Sequence, residues 1–236
     1  MKRILIITVL LAVTFSSFAQ SNFYKLSVGA GGGITQSFTD LRKHDFGAAG
    51  YGTLDYLLTP FLSIGLELQK GEINGGSIRT DPDNRQFINS YLTGSFNFKI
   101  SLGQIIDFNY NNSFNNLKGL YIGSGIGVIK NKMKGINRYS FTDPPVYYPG
   151  DDTSSDVYFP LNLGINFYFP DHEGFYRYVL NFNCQSNITL GEGLDGYDNT
   201  SITRKSGKTN IYNFYTVGVK YNFGKLGLFK KTFRRF

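Results

Sequence analysis

A glycine-rich stretch near the start of the chain, KLSVGAGGGITQ, is the first place where residue types suggest chemistry, because such loops often surround a phosphate. A dinucleotide-binding fingerprint needs glycine at positions i, i+2 and i+5, followed by a helix. Counted from Gly29, the third position holds Ile34. Counted from Gly31, it holds Gln36. The Gly-Lys-Ser/Thr ending of a phosphate loop is also missing, so the pattern predicts no nucleotide site.

Histidine is scarce, which limits the acid–base chemistry available to the chain. Only His44 and His172 are present, and a hydrolytic site would need one of them beside a serine and a carboxylate. Ser37, Asp40 and Asp45 lie near His44 in sequence. A solvated loop accounts for the same residues, and we expect the two histidines at opposite ends of the fold. The sequence therefore predicts no catalytic residues and no enzymatic activity.

Acidic residues gather in polar segments that could offer oxygen ligands to calcium. The residues concerned are Asp81, Asp83, Asp151, Asp152, Asp156, Glu192, Asp195 and Asp198. No twelve-residue calcium-loop pattern accompanies them, so we expect solvated turns. The single cysteine, Cys184, excludes an internal disulfide and a zinc–thiolate site. No metal and no cofactor is predicted.

The first twenty residues have the build of an export signal. Lys2 and Arg3 precede an apolar run, and Ser17 and Ala19 supply the small residues of a cleavage site. We therefore expect residues 1–20 to be removed on export. The net charge of +7 is concentrated in this segment and in the basic C-terminal end, which gives no reason to expect a nucleic-acid partner.

The elements that would carry any function are strands, because apolar and polar residues alternate with a period of two. Abundant glycine (28) and aromatic residues (17 Tyr, 22 Phe) also suit strands and turns. The alternation predicts eight strands, over residues 24–35, 46–56, 62–69, 88–100, 120–128, 157–169, 180–188 and 215–223. Short connections at 57–60 and 170–175 alternate with long polar ones at 37–45, 72–85, 131–156 and 190–210. This asymmetry is typical of an outer-membrane β-barrel.

One connection, residues 101–118, does not fit this scheme because it is long where a short turn is expected. A small helix or an extra pair of strands around Ile105, Ile106 and Phe108 would both explain it, so ten strands are also open. Its role is not predicted.

The polar faces of the strands indicate which side meets lipid. They carry mostly Asn, Gln, Ser, Thr, Tyr and Gly, whereas strands of soluble proteins usually expose many lysines and glutamates. We therefore predict apolar faces outward in a membrane and polar faces inward; a soluble, lipocalin-like barrel is the alternative. The glycines of residues 29–33 and 123–127 are then expected to make room for inward tyrosines.

The last predicted strand carries a motif that is specific enough to name. TVGVKYNF resembles the signal by which outer-membrane barrels are recognised by the assembly machinery, with Thr216, Gly218, Tyr221 and Phe223 at its defining positions. Together with the hairpin sequence LLTPFLSIGLEL, it makes the chain similar to the small outer-membrane barrels of Bacteroidota, of the OmpA/OmpX-like or PorT-like kind. The resemblance implies residence in a Gram-negative outer membrane among its lipids and lipopolysaccharide. One departure is the thirteen residues that follow the motif.

Five charged residues fall on the predicted inward faces: Lys25, Asp55, Glu67, Lys99 and Lys220. Opposite charges in a narrow interior would pair. We therefore predict an occluded lumen, with a narrow gated pore as the alternative.

The chain is thus predicted to comprise a signal peptide (1–20), an all-β, antiparallel up-and-down barrel (21–224) and a basic tail (225–236). The tail is either an amphipathic helix on the inner leaflet or a frayed end. The main functional hypothesis is a non-enzymatic barrel that presents four loops for envelope structure or partner binding. A subunit of a secretion or transport assembly, with a periplasmic or envelope partner, is the alternative, and a lipid A-modifying enzyme is a third. The sequence does not identify a ligand, a partner or an oligomeric state.

Overall fold

The structure, a computed structural model, describes residues 23–106, 117–198 and 210–229. The predicted signal peptide and Phe108 lie outside these ranges. The strands are β1 (Phe23–Phe38), β2 (Phe46–Thr59), β3 (Leu62–Gly76), β4 (Gln86–Ser101), β5 (Leu120–Asn137), β6 (Thr153–Pro170), β7 (Tyr176–Thr189) and β8 (Ile211–Gly227). One short helix, α1 (Leu102–Ile105), follows β4.

The eight strands form one closed antiparallel barrel in which each strand pairs with its neighbours in sequence. β1 closes the ring by pairing with β8, for example Gly31 opposite Gly218 and Gly33 opposite Thr216. The predicted eight-stranded up-and-down barrel is confirmed. The ten-stranded alternative is wrong for the described part of the chain, because Ile105 ends α1 and the chain leaves β4 through this helix.

The apolar faces point outward, as the sequence predicted. Leu66, Leu68 and Val219 are 56%, 64% and 64% exposed, whereas Gln69, Gln185 and Asn162 are buried inside the barrel. A lipocalin-like barrel would bury its apolar faces, so that alternative is wrong. No helix of the described residues is long and apolar enough to cross a membrane.

Some inward glycines make room for tyrosine rings, which confirms the prediction for Gly31 and Gly127; at Gly29, Gly33, Gly123 and Gly125 the nearest atoms are backbone atoms or other side chains. A Cβ atom on Gly127 would lie 2.5 Å from Cε1 of Tyr158, and a Cβ atom on Gly164 would lie 2.5 Å from the hydroxyl of Tyr121. Real Cβ contacts essentially never come that close. The inward rings of Tyr121 and Tyr158 therefore depend on the glycines that face them.

The connections define two ends of the barrel. The β2–β3 and β6–β7 turns lie at one end of the barrel, together with α1, the start of β1 and the end of β8; we call this end the short-turn rim. The other four connections form the long-loop rim. Several strands extend further towards the long-loop rim than the alternation indicated, and β5 runs on to Asn137 where a loop was predicted from residue 131. The pattern of polar and apolar residues in β5 changes near residue 130, whereas its pairing with β4 and β6 continues. The alternation therefore ends before the strand does.

The predicted boundary after residue 224 is also displaced. β8 continues to Gly227 and pairs with the start of β1, with Leu226 opposite Tyr24. Lys225 and Leu226 are therefore strand residues and do not belong to a helix. Residues 230–236 of the predicted basic tail lie outside the described residues.

Candidate functional site

Two ion pairs occupy the interior near the short-turn rim. Nζ of Lys220 lies 2.6 Å from Oδ2 of Asp55, and Nζ of Lys99 lies 3.4 Å from Oε2 of Glu67. All four side chains are at least nine-tenths buried. Lys25, the fifth residue of the predicted charge cluster, joins neither pair and is half-buried near the end of the barrel. The structure thus brings four of the five predicted residues together as pairs between different strands.

Glu67 also anchors an amide network that crosses the barrel. Its Oε1 accepts hydrogen bonds from Nε2 of Gln69 (2.7 Å) and from Nε2 of Gln185 (3.0 Å). Gln185 lies on β7, so the network joins opposite walls. It continues through Gln185 Nε2 to Oδ1 of Asn162, which also accepts from Nδ2 of Asn183. This polar layer links opposite walls of the barrel by hydrogen bonds between side chains, although the buried Oδ1 of Asn183 has no hydrogen-bond partner among the described residues.

A small cavity of about 30 Å³ remains between this layer and the short-turn rim. Asp55, Lys99, Lys220, Tyr121 and Tyr168 line it. A volume of this size holds about one water molecule. The cavity can therefore hydrate the charged groups of Asp55, Lys99 and Lys220.

Towards the long-loop rim the interior changes from amides to an aromatic cluster. Tyr91, Tyr158, Tyr212 and Phe87 are among its largest fully buried side chains. The ring centroids of Tyr91 and Tyr212 lie 5.4 Å apart. Aromatic packing of this kind resembles the core of a soluble domain.

The long loops fold over this cluster and cover it. Leu41 from the β1–β2 loop, Tyr148 from the β5–β6 loop, and Leu194 and Tyr197 from the β7–β8 loop all belong to the buried core. We call these four residues the loop cap. Nδ2 of Asn89, inside the barrel, donates to the carbonyl oxygen of Leu194 (2.9 Å), which fixes the cap to the wall. The four side chains of the loop cap are therefore packed against the aromatic cluster at the long-loop rim.

Arg85 holds two parts of the loop cap together. Its guanidinium lies 5.6 Å from the ring centroid of Tyr148 and 5.7 Å from that of Tyr197. The Tyr197 hydroxyl lies 2.7 Å from the carbonyl oxygen of Asn137 and accepts a hydrogen bond from the Gln86 N–H (3.1 Å). These contacts connect three different loops.

One carboxyl group is buried in the loop cap without an ion pair among the described residues. Asp195 is 1% exposed, and its Oδ1 accepts a hydrogen bond from the Tyr197 N–H (3.1 Å). Burial raises the pKa of Asp195 to about 7, and the nearby negative charge of Asp40 acts in the same direction. Arg85 opposes this shift but does not cancel it.

The residues of the predicted assembly motif divide between the two faces of β8. Thr216 and Gly218 face the interior, while the rings of Tyr221 and Phe223 stack on the outer surface with centroids 6.2 Å apart. The Tyr221 hydroxyl accepts a hydrogen bond from Nη1 of Arg177 (3.2 Å). The motif therefore presents an aromatic pair outward at the short-turn rim.

The two histidines lie at opposite rims, as expected. His44 pairs by its backbone with Gly75 and packs its ring against Phe38 (4.9 Å), whereas His172 lies in the β6–β7 turn. Within the described residues, no group of three or more His, Cys, Asp or Glu side chains could hold a metal ion.

Comparison with known proteins gives structural similarity only. No family model matches the chain, and no curated protein matches it. Among solved structures, the chain is similar to Ail, the attachment invasion locus protein of Yersinia pestis, in complex with the heparin analogue sucrose octasulfate. The identity is 7%, the match covers 85% of this chain and 99% of the Ail chain, and the TM-score is 0.46. Neisserial surface protein A matches at 9% identity over 84% and 97% of the two chains, with a TM-score of 0.45. OprG from Pseudomonas aeruginosa matches at 9% identity over 86% and 99%, with a TM-score of 0.38. At such identities the similarity concerns architecture, which the strand pairing of this chain establishes independently.

The loop cap is the part of the site that the sequence did not reveal. Leu41 and Leu194 are apolar residues isolated in polar loops, and that isolation is the one signal that could have pointed to them. The acidic loop residues were read as solvated, yet Asp81 and Asp195 are buried. That expectation is wrong for these two residues, because the loops fold onto the barrel mouth.

Proposed function

We propose that this chain is a non-enzymatic protein of the Gram-negative outer membrane, whose barrel anchors four surface loops that serve envelope structure or partner binding. The observation that carries the proposal is the band of apolar side chains around the outside of the barrel. Leu66, Ile126 and Leu163 are 56%, 53% and 56% exposed, which is costly in water and favourable in a bilayer.

Aromatic residues near the short-turn rim support the same placement. Tyr56, Phe98, Tyr178 and Tyr221 are all exposed on the outer surface. Rings at this position suit a membrane–water interface, where an apolar body and a polar tip are both accommodated. The short-turn rim is accordingly periplasmic, and the long loops are extracellular. Export through residues 1–20, assembly through the β8 motif and the relation to Bacteroidota barrels belong to this proposal.

A closed, non-conducting interior is the second part of the proposal. It is supported by the amide layer around Glu67, by the aromatic cluster around Tyr91 and Tyr212, and by the loop cap. Three successive obstructions of different chemistry would each have to open for steady ion flow.

Two measurements test the proposal in order. The chain expressed with its N-terminal segment should fractionate with the outer membrane, and the folded protein should run on gels with a mobility that boiling changes. Purified in detergent and added to planar bilayers, it should give no steady conductance, whereas a Tyr91→Ala, Tyr212→Ala double variant serves as an opened comparison. Sustained openings of the unaltered protein would overturn the closed interior, and recovery as a soluble monomer without detergent would overturn the membrane placement.

A subunit of a secretion or transport assembly is the alternative function. The connection after β4 is longer than the other turns of the short-turn rim, and its Ile105 and Ile106 are 66% and 44% exposed. Exposed isoleucines on the periplasmic side suit a protein contact. Replacing residues 102–119 by a tight turn should then remove a co-purifying envelope protein while leaving the barrel folded. An unchanged lipid A mass spectrum after His44→Ala would agree with the absence of lipid-modifying activity.

A further inference from the structure

Near the long-loop rim, charged residues at outward strand positions are confined to one side of the barrel; at the short-turn rim, Arg177 of β7 contacts the outward ring of Tyr221. Five lie at outward positions of β3 and β5: Lys70, Glu72, Lys130, Lys132 and Lys134. Within the described strands, the outward positions of β1, β2, β4, β6 and β7 carry no acidic or basic residue. The exposed Lys225 on β8 is near the opposite rim. This one-sided arrangement is not what a general requirement for solubility would produce, because solubility would distribute charge around the rim.

Strand register places three of these lysines next to one another. Leu92 pairs with Lys70 on one side and with Lys130 on the other, and Ser90 pairs with Lys132. Neighbouring strands are about 4.8 Å apart, so the Cα atoms of Lys70 and Lys130 lie roughly 10 Å apart. Lys132 follows Lys130 about 7 Å further along the same strand. Flexible side chains at this spacing can converge on one group with several negative charges.

Nearby acidic residues do not neutralise these three lysines. Oε1 of Glu72 lies 2.6 Å from Nζ of Lys134, so the one carboxylate on this surface already has a partner. Among the described residues, Lys70, Lys130 and Lys132 make no ion pair with a carboxylate, and each is exposed. We call these three residues the lysine triad. Three exposed ammonium groups side by side are available to bind an anion from outside the chain.

The lysine triad marks the level at which the membrane ends. Directly below it, towards the short-turn rim, the next row across the same strands is Leu68, Gly94 and Val128. Leu68 and Val128 are 64% and 56% exposed. Above this row the polarity of β3 and β5 changes: Ile73 and Ile129 are apolar residues that point inward, beside the polar Asn131, while the outward positions become charged. Lipid therefore covers the outside up to Leu68 and Val128, and the lysine triad lies at its headgroups.

Resting on the outer-membrane placement proposed above, we propose that the lysine triad binds the phosphate groups of a glycolipid of the outer leaflet. The acyl chains of that lipid pack on Leu68 and Val128, in the row directly below the triad. Basic side chains at the cytoplasmic or interfacial edge of membrane proteins bind anionic headgroups through the same combination of charge and apolar contact. The phosphate provides the anion that the chain lacks, and the apolar row supplies a surface for the chains.

The experiment uses the full mature chain folded in a zwitterionic detergent. Lipid A with two phosphates, the same lipid after enzymatic removal of its phosphates, and phosphatidylethanolamine are added separately, and bound lipid is counted by native mass spectrometry. In a further arm, a soluble sulfated sugar competes with bound lipid A. A Lys70→Gln, Lys130→Gln, Lys132→Gln variant is compared with Lys43→Gln, Arg79→Gln, Lys225→Gln, which removes the same charge from exposed residues elsewhere. Each barrel is first shown to be folded by its heat-dependent gel mobility.

We expect the unaltered barrel and the control variant to retain the bisphosphorylated lipid and to prefer it over the dephosphorylated one. The lysine-triad variant should bind it roughly 10- to 100-fold more weakly, since each lysine near an anionic surface contributes about a tenfold preference or less. Should the triple variant fold poorly, the single changes Lys70→Gln and Lys130→Gln carry the same comparison, each with a several-fold loss.

Three outcomes would overturn the inference. The first is that the lysine-triad variant binds lipid A as tightly as the unaltered protein. The second is that the control variant loses as much lipid binding as the lysine-triad variant. The third is stronger competition by a soluble sulfated sugar than by lipid A, which would make the triad a site for soluble polyanions. A chain that never forms a detergent-soluble barrel would instead refute the membrane placement, so the two failures are distinguishable.

Discussion

The buried carboxyl of Asp195 should make the loop cap sensitive to pH. Its pKa is raised from the ordinary value of 3.8 to about 7, chiefly by burial. While the cap is closed, the group keeps its proton up to about pH 7, whereas in an opened cap it ionises near pH 4. The closed state therefore binds more protons between these values, and its stability falls as the pH rises through this window.

The structure sets the size of the effect. A difference of about three pH units corresponds to about 4 kcal/mol at most, since one unit is worth about 1.4 kcal/mol. This stabilisation is fully present below about pH 4 and lost above about pH 7. Asp195→Asn removes the charge at every pH and keeps an oxygen that can accept the Tyr197 N–H. The variant should therefore hold its cap closed at high pH.

Hydrogen exchange of the amides of residues 190–198, followed by mass spectrometry in detergent, measures cap opening directly. After correction for the intrinsic dependence of exchange on pH, protection in the unaltered protein should fall by two to three orders of magnitude between about pH 5 and pH 8. Asp195→Asn should show constant protection. Asp151→Asn, which changes an exposed loop carboxylate, is the matched control and should behave like the unaltered protein. Protection that is constant or rises with pH in the unaltered protein would refute the reasoning, as would an Asp195→Asn variant that still loses protection.

Two further predictions concern the barrel interior. Lys220→Met leaves Asp55 buried without its partner at 2.6 Å and should reduce the free energy of unfolding by about 3–5 kcal/mol, measured by urea titration with gel mobility as the readout. The double variant Asp55→Asn, Lys220→Met should recover part of that loss. Equal stability of all three proteins would contradict this prediction. Gly127→Ala places a Cβ atom 2.5 Å from a ring carbon of Tyr158 and should lower the free energy of unfolding by about 1–3 kcal/mol. Gly135→Ala, whose Cβ atom would have its nearest neighbour at 3.9 Å, should lower it much less. Similar losses of stability in both variants would show that side-chain space is not the cause.

The strands and their faces could be predicted from the sequence because both depend on a local period of two. The pairing of Asp55 with Lys220 was within reach for the same reason, since both residues were expected on inward faces near one end. Closure by β1 and β8 followed from the number of strands. The function of the assembly motif at Tyr221 and Phe223 stays a prediction.

The loop cap could not be predicted, because it depends on how four loops fold together. Leu194 and Tyr197 lie in a polar segment whose composition indicates solvent exposure. Their burial depends on contacts such as Asn89 to the Leu194 carbonyl oxygen and Arg85 to the Tyr197 ring, which join residues distant in sequence. Residues 131–137 were assigned to a loop for a related reason: the polarity of β5 inverts at Ile129, and a search for one constant apolar face ends the strand there.

That inversion explains why the interior contains two kinds of packing. A strand needs about 9–11 residues to cross a bilayer, and the strands here have 14 to 18. Where lipid surrounds the barrel, the outer face supplies the apolar contact and the interior is held by amides and ion pairs such as Glu67 with Lys99. Where the strands extend into water, the outer face must be polar, and the hydrophobic stabilisation moves inside, to residues such as Ile73 and Ile129. The loop cap is then a consequence of the same requirement, because an apolar interior that opens to water must be covered.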